Sequence, residues 1–392
     1  LKPTPWLTER HGYDPTLADM REQGIDVIAL NVGEPDFITP EHIIAACNRA
    51  LAEGKTKYCK VTGILPLRKA ICDKLKNDNH IQCEPDQIVV CTGAKQALYD
   101  AVEAILDPED EAIIPIPCWV SYAEMVKLAG AIPVFVNTQP GSFELDLEAI
   151  KNAITKKTKA IMINTPNNPT GAVYSEASLR ALGELAVKHN IYIISDEVYE
   201  KLVYGEAKHV SIASLSPEIC EHSVTVNGFS KAYAMTGWRL GYVAANKQLA
   251  KAMGQMQGHM TSHATVFAQW AAVEALTGTH EPLEKMRKEF DKRRIYLMNE
   301  LNKLPNIKCS CVSGAFYLMP NVSAYYGKSD PDGAPIRNSY DFCNYILKEA
   351  HVAIVPGAAF LSPDNVRIAY SNSMDNIRKA IERMRGALEK LQ

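Results

Sequence analysis

The chain has 392 residues, of which 47% are hydrophobic and 22% charged, and its formal net charge is −3. That balance excludes a disordered chain and gives no electrostatic reason to expect nucleic acid or an anionic membrane as partner. No run of about 18 apolar residues is present, so no transmembrane helix is expected, and the length suits about two domains.

The opening residues, Leu1 to Trp6, lack the apolar stretch of a signal peptide. Further on, short apolar runs alternate with longer amphipathic ones. Ile88 to Cys91 reads as a strand and Lys95 to Leu106 as a helix. Glu111 to Ile116 is a second strand, followed by a helix over Ser121 to Ala129. Ile132 to Val136, Ala160 to Asn164, Ile191 to Ser195 and Ser223 to Val226 are further strands, with a helix over Ser175 to His189, and Tyr242 to Ala245 closes the series. Strand–helix alternation at this spacing predicts an α/β fold, a mostly parallel sheet covered by helices on both faces. From about Gln248 the pattern turns helical, through Glu281 to Leu304. Two short strands, Ala315 to Met319 and Val366 to Ala369, and helices over Asp341 to Ala350 and Met374 to Leu391 then suggest a smaller α+β domain. The Gly-, Pro- and Asp-rich stretch Lys328 to Arg337 is expected to be an exposed loop.

The ten cysteines are scattered, without a C-x-x-C pair, and read as free thiols of a cytoplasmic protein. The histidines show no H-E-x-x-H, so no metal is expected.

Four segments carry the chemistry. In Asn227 to Gly241 a strand leads to Lys231, with Ser230 before it and Arg239 eight residues after. A lysine that condenses with an aldehyde must be a neutral amine, and burial or a nearby cation lowers its pKa. By itself a lysine beside a serine is an ordinary surface residue. In Ile191 to Tyr199 an apolar strand ends in Asp196 and Glu197. Ligands of open α/β sheets sit beyond such strand ends, and a carboxylate there can keep a pyridine nitrogen protonated. Glu197 reads as either a metal ligand or a surface charge. In Asn164 to Gly171 two prolines stiffen a strand exit rich in asparagine. In Cys91 to Leu98 a strand passes through Gly93 into a helix start, where free N–H groups suit a phosphate.

Together these segments resemble the class I/II pyridoxal-phosphate-dependent aminotransferases. Gly228-Phe229-Ser230-Lys231 with Arg239 matches the family's cofactor-attachment signature. Asn-Pro-Thr-Gly, Asp-Glu-x-Tyr and Met-Thr-Gly-Trp-Arg resemble the bacterial aspartate aminotransferase subgroup, and similar stretches run from Asn31 to Phe37 and from Asn365 to Ser371. The resemblance implies the type I fold of these transferases, with pyridoxal 5'-phosphate held on Lys231 as a Schiff base. It implies that Asp196 pairs with the pyridine nitrogen, that Tyr199 and Asn168 bond the phenolic oxygen, and that Trp119 stacks on the ring. Gly93, Ala94, Ser230 and Arg239 would cradle the phosphate, with Lys95 nearby, and Tyr58 would reach it from the other subunit of a homodimer. Arg367 would clamp the substrate α-carboxylate, helped by Asn168 and the Gly33 backbone. Gly228 stands where many relatives have a phosphate-binding serine.

The resemblance further implies a large cofactor domain over 35–280 and a small domain made of 1–34 and 281–392. Lys95 matches a lysine that approaches the distal carboxylate of dicarboxylic substrates, which favours aspartate and glutamate with their 2-oxo acids. The first 24 residues, with Trp6, Arg10, His11 and Tyr13, match relatives poorly, and this segment folds over the site in the family. An aromatic- or prephenate-directed aminotransferase and a C–S β-lyase on the same scaffold are the competing readings.

Overall fold

The computed structural model describes Met20 and residues 22–392. Trp6, Arg10, His11 and Tyr13 lie outside the described residues.

The strands are β1 (Ile28–Ala29), β2 (Ile88–Cys91), β3 (Glu111–Ile116), β4 (Ile132–Asn137), β5 (Thr158–Asn164), β6 (Tyr192–Asp196), β7 (Ser223–Gly228), β8 (Gly241–Ala244), β9 (Tyr317–Leu318), β10 (Val352–Ala353), β11 (Val355–Pro356) and β12 (Val366–Ala369). The described helices are α1 (Glu41–Ala52), α2 (Leu65–Asn79), α3 (Ala94–Ile105), α4 (Ser121–Leu128), α5 (Leu147–Ala153), α6 (Glu176–His189), α7 (Pro217–Glu221), α8 (Lys247–Met260), α9 (Val266–Thr277), α10 (Glu281–Leu301), α11 (Ser339–Ala350) and α12 (Met374–Leu388). Seven strands form one sheet in the order β2-β8-β7-β6-β5-β3-β4. Only β8 runs against its neighbours, β2 and β7. The expected mostly parallel sheet is therefore present.

Successive residues of the central strands serve opposite faces. Ala112 and Ile114, Met162 and Ile194 join one core with α3 and α4. Ile113, Ile161, Ile163 and Ile193 join the core on the other face with α6. Burial on both sides explains the unbroken apolar runs. Pro115 has no N–H to donate, and the β3–β5 register ends before it, at Ile113–Ile161. Edge strand β4 leaves Ile132 and Phe135 partly exposed. Helix α6 begins where the Ser175 side chain accepts from Ser178 N and ends at left-handed Asn190 (φ 53°).

A separate apolar cluster gathers Ile28 and Leu30 with residues of α10, α11, α12, β9 and β12. It is organised by β1 pairing with β10 and by the antiparallel order β11-β12-β9. The stretch Lys328 to Arg337 differs from expectation at two points. Asp330 and Ile336 are buried, because the Asp330 carboxylate accepts from Asp332 N and Ala334 N while Ile336 packs into this cluster.

The parallel strands β5, β6 and β7 end side by side, at Asn164, Asp196 and Gly228. Residues just past those ends converge without further devices.

Candidate active site

A cavity of about 350 Å³ opens beyond these strand ends. It is lined by Gly33, Ala94, Lys95, Trp119, Asn168, Asp196, Tyr199, Ser230, Lys231, Arg239 and Arg367. Gly93 and Tyr58 are the expected site residues that do not line it. Gly93 stands just behind the wall as the N-cap of α3, with φ 84°. A side chain built there would run into the Arg239 guanidinium, so glycine is needed for both its conformation and its closeness to that arginine. Tyr58 is 92% exposed, edge-on to His263 with ring centroids 5.6 Å apart.

Lys231 is largely enclosed. Its Nζ donates to Gly33 O at 2.6 Å and lies 5.9 Å and 5.8 Å from the Tyr199 and Phe316 ring centres. Burial is the main cause that lowers its pKa to about 8; Glu34 and Asp196 work against that shift, while Arg367 and Arg239 add to it. Burial pushes the Asp196 carboxyl up to about 6. Its Oδ2 accepts from Tyr122 OH at 2.7 Å and its Oδ1 from Val198 N at 3.2 Å.

Arg367, on β12, points at the same space from the other side. Its Nη1 donates to Asn168 Oδ1 at 3.0 Å and its Nη2 to Asn31 O at 2.8 Å. Its Nε is buried without a partner. The guanidinium lies 4.6 Å from the Tyr317 ring centre and 4.9 Å from that of Phe360. Asn168 is itself fixed, donating its N–H to Asn164 Oδ1 at 2.7 Å. The hydroxyls of Tyr199 and Tyr317 are 2.8 Å apart.

Lys95 and Arg239 are both exposed where they line the cavity. Lys95 Nζ sits 4.9 Å from the Trp119 ring centre, and burial, then the neighbouring Arg239 charge, lowers its pKa. Arg239 has left-handed backbone (φ 53°) and donates from Nη1 to Thr236 O at 2.7 Å. Two like charges held together at the start of α3 make a place for an anion.

Several lining residues were not assigned a role from the sequence: Leu98, Tyr122, Asn164, Val198, Thr236 and Tyr317. Tyr122 had a usable signal, since it stands three residues after Trp119 in the same strand-exit segment, and the two rings pack edge-on with centroids 5.4 Å apart. Tyr317 had none, because an aromatic beside Phe316 in a short apolar strand reads as core.

Glu197 is neither a surface charge nor free to bind a metal. It is fully buried on the reverse side of β6. Its Oε1 accepts from Ser195 Oγ at 2.9 Å, and its Oε2 accepts from Ser211 Oγ at 2.5 Å and lies 3.0 Å from His209 Nε2. Glu197, Glu200 and His209 are close enough together to suit a metal ion. Glu200, however, already pairs with Lys74 and accepts from Asn79 Nδ2 at 2.6 Å. The Lys74 ammonium supplies the cation, and all four carboxylate oxygens are engaged.

A lysine amine, a buried carboxylate and an arginine meet around one cavity at the ends of parallel strands, a lining suited to a small anionic ligand. The chain belongs to the aminotransferase class I and II family, whose model matches residues 25–384. It is 48% identical over 373 residues to the aspartate aminotransferase of Bacillus subtilis (strain 168), an alignment covering 95% of this chain and 94% of that one. It is 44% identical to the aspartate/prephenate aminotransferase of Thermus thermophilus, over 93% of this chain and 92% of the relative. Among solved structures, the aspartate aminotransferase from Rhizobium meliloti superposes with a TM-score of 0.96 at 39% identity, covering both chains completely. The aminotransferase scaffold and its α/β fold are thus shared along the chain's length.

Proposed function

We propose that the chain is a pyridoxal-phosphate-dependent aminotransferase that moves the amino group between a dicarboxylic L-amino acid, aspartate or glutamate, and a 2-oxo acid by a ping-pong route. The observation that carries this reading is the meeting of Lys231, Asp196 and Arg367 around one cavity.

The residues present fit the cofactor. Gly93 leaves room at the start of α3 where any side chain would meet Arg239, beside the exposed charges of Lys95 and Arg239. The first N–H groups of α3 have no acceptor within their own helix, and with Ser230 and Arg239 they would hold a phosphate. Asp196 would face the pyridine nitrogen, Tyr199 and Asn168 the phenolic oxygen, and Trp119 the ring. When bound, the cofactor supplies the electron sink that stabilises negative charge at the substrate α-carbon.

The chain's own residues do the rest. Lys231 is lowered to about 8, so a usable fraction is neutral amine near pH 7. That amine would hold the cofactor and would serve as the base that takes the substrate α-proton and the acid that returns it. Asp196 favours a protonated ring nitrogen, because a buried carboxylate gains most from a cation beside it. Arg367, held by Asn168 and Asn31, clamps the α-carboxylate as a fork. Lys95, beside Arg239 and exposed in the cavity, receives the distal carboxylate.

Relatives named for aspartate at 48% and 45% identity support the dicarboxylic reading. Relatives named for both aspartate and prephenate keep an aromatic-directed activity as the second reading. Spectra of the half-reaction with aspartate, glutamate, tyrosine and an unbranched amino acid separate the two. Fast conversion with tyrosine and none with aspartate would sink the dicarboxylic reading. Release of ammonia and pyruvate without a keto-acid acceptor would indicate a lyase instead.

The separate cluster joining Ile28 and Leu30 to the C-terminal elements supports a small domain of 1–34 and 281–392 beside a large domain of 35–280. The exposure of Tyr58 supports a homodimer in which this side chain reaches the partner's phosphate site. Ten unpaired thiols support a cytoplasmic setting.

A further inference from the structure

The segment that follows β1 is gripped from both sides of the cavity. Asn31 O accepts from Arg367 Nη2 at 2.8 Å and Val32 O from Ser371 Oγ at 3.3 Å. Gly33 O then accepts from Lys231 Nζ at 2.6 Å. The next residue, Glu34, is exposed and takes no part in the roles above. Its carboxylate accepts a hydrogen bond from the Thr236 hydroxyl. Thr236 lines the cavity, and its own carbonyl accepts from Arg239 Nη1 at 2.7 Å. One carboxylate thus braces the short turn Thr236–Trp238 that presents Arg239. Arg239 cannot adjust cheaply, since its backbone is left-handed at φ 53°.

We propose that Glu34 is a positioning residue with two separable effects: through Thr236 it holds Arg239 for the cofactor's phosphate, and its charge, carried one residue from the Gly33 carbonyl that accepts from Lys231 Nζ, acts on that amine. This rests on the reading of Lys231 as the cofactor's anchor.

The charged groups around Lys231 come from four segments. Glu34 precedes α1, Asp196 ends β6, Arg239 follows the Thr236 turn and Arg367 lies on β12; after burial, Glu34 has the largest influence on this lysine. The Tyr199 and Phe316 rings complete the surroundings without formal charge. Cofactor attachment needs the free amine. The ammonium first gives its proton to solvent, the amine adds to the aldehyde carbon, and water leaves as the C=N bond forms. A negative Glu34 favours the ammonium, so removing its charge frees the amine at lower pH.

The test uses the full chain stripped of cofactor. Two quantities are measured: the pH midpoint of the pyridoxal-phosphate uptake rate, followed by absorbance, and the affinity for inorganic phosphate. Glu34→Gln keeps an acceptor oxygen for Thr236 but removes the charge. Its midpoint should move down by roughly a few tenths of a pH unit, less at high salt, with phosphate affinity retained. Thr236→Val keeps the charge but removes the brace. Its midpoint should stay in place, while phosphate affinity falls about 5-fold, the worth of one ordinary hydrogen bond. An unmoved midpoint in Glu34→Gln overturns the charge effect, and unchanged phosphate affinity in Thr236→Val overturns the positioning effect. A wild-type chain that takes up no pyridoxal phosphate overturns the cofactor reading and this proposal with it. Normal wild-type uptake with both variants unmoved overturns this proposal alone.

Discussion

The end of β6 has two sides, and they handle buried charge in opposite ways. On the cavity side, Asp196 is raised to about 6, Lys231 is lowered to about 8, and the Nε of Arg367 has no partner. On the reverse side, Glu197 meets Ser195, Ser211 and His209, and Glu200 meets Lys74 and Asn79. Burial there works against the Glu200 charge, yet Lys74, His209 and Lys201 prevail and hold it at about 2. The two sides alternate along one short stretch, with Asp196 and Tyr199 facing the cavity and Glu197 and Glu200 facing away. Burial and charge alone therefore do not mark a functional site. What marks it is that the cavity-side groups line one open space, whereas the reverse-side carboxylate oxygens are all taken by protein partners and, among the described residues, only His209 Nδ1 is left unpaired there.

That contrast breaks most sharply at Lys231. Lys231→Ala should abolish turnover and the lysine-bound cofactor absorbance; retention of both would remove the cavity side's defining group. On the reverse side the loss should appear in stability instead. Lys74→Met leaves the Glu200 carboxylate buried without its cation and should cost about 3–5 kcal/mol in denaturant unfolding. Its kcat should stay within about 2-fold, because the network shares no hydrogen bond with the substrate. A large kcat loss at native stability would merge the two sides. Arg367→Ala should lower kcat/KM about 100-fold, the worth of a charge-assisted fork of about 3 kcal/mol.

Acid titration sharpens the comparison, because the two carboxylates act in opposite directions. Glu200 is depressed from 4.5 to about 2, so its contribution is present above its unfolded pKa and is lost as pH falls through about 2. Asp196 is raised from 3.8 to about 6, so the folded chain binds its proton more tightly than the unfolded chain. Its contribution is full below about 4 and is lost as pH rises through about 6. In cofactor-free protein, Asp196→Asn should therefore raise Tm at pH 8 and flatten the decline between pH 4 and 6. An unchanged profile would show that the cavity carboxylate carries no such strain.

Much of this layout was legible because parallel strands announce themselves as apolar runs. Strands β2, β3 and β12 fall on their expected residues, as the unbroken runs at Ile88, Glu111 and Val366 imply. The direction of β8 was not legible, since nothing in Tyr242 to Ala244 says which way its neighbours run. Helix α2 escaped notice for a physical reason. It buries Arg68, Lys74 and Asn79 beside Leu67, Ile71 and Leu75, which blurs its apolar stripe. The site residues were read from motifs, and the cavity brings most of them together. Glu197 was misread because an acidic residue beside Asp196 gives no sign of which face it takes. That depends on Ser211 and His209, which come from a loop more than ten residues on.

The most direct test of the cavity side is chemical trapping on the loaded protein. Borohydride reduction of the chain carrying pyridoxal phosphate, followed by peptide mass mapping, should place the cofactor's added mass on the peptide containing Lys231 and on no other lysine. Labelling of a different lysine, or none, would contradict the central claim.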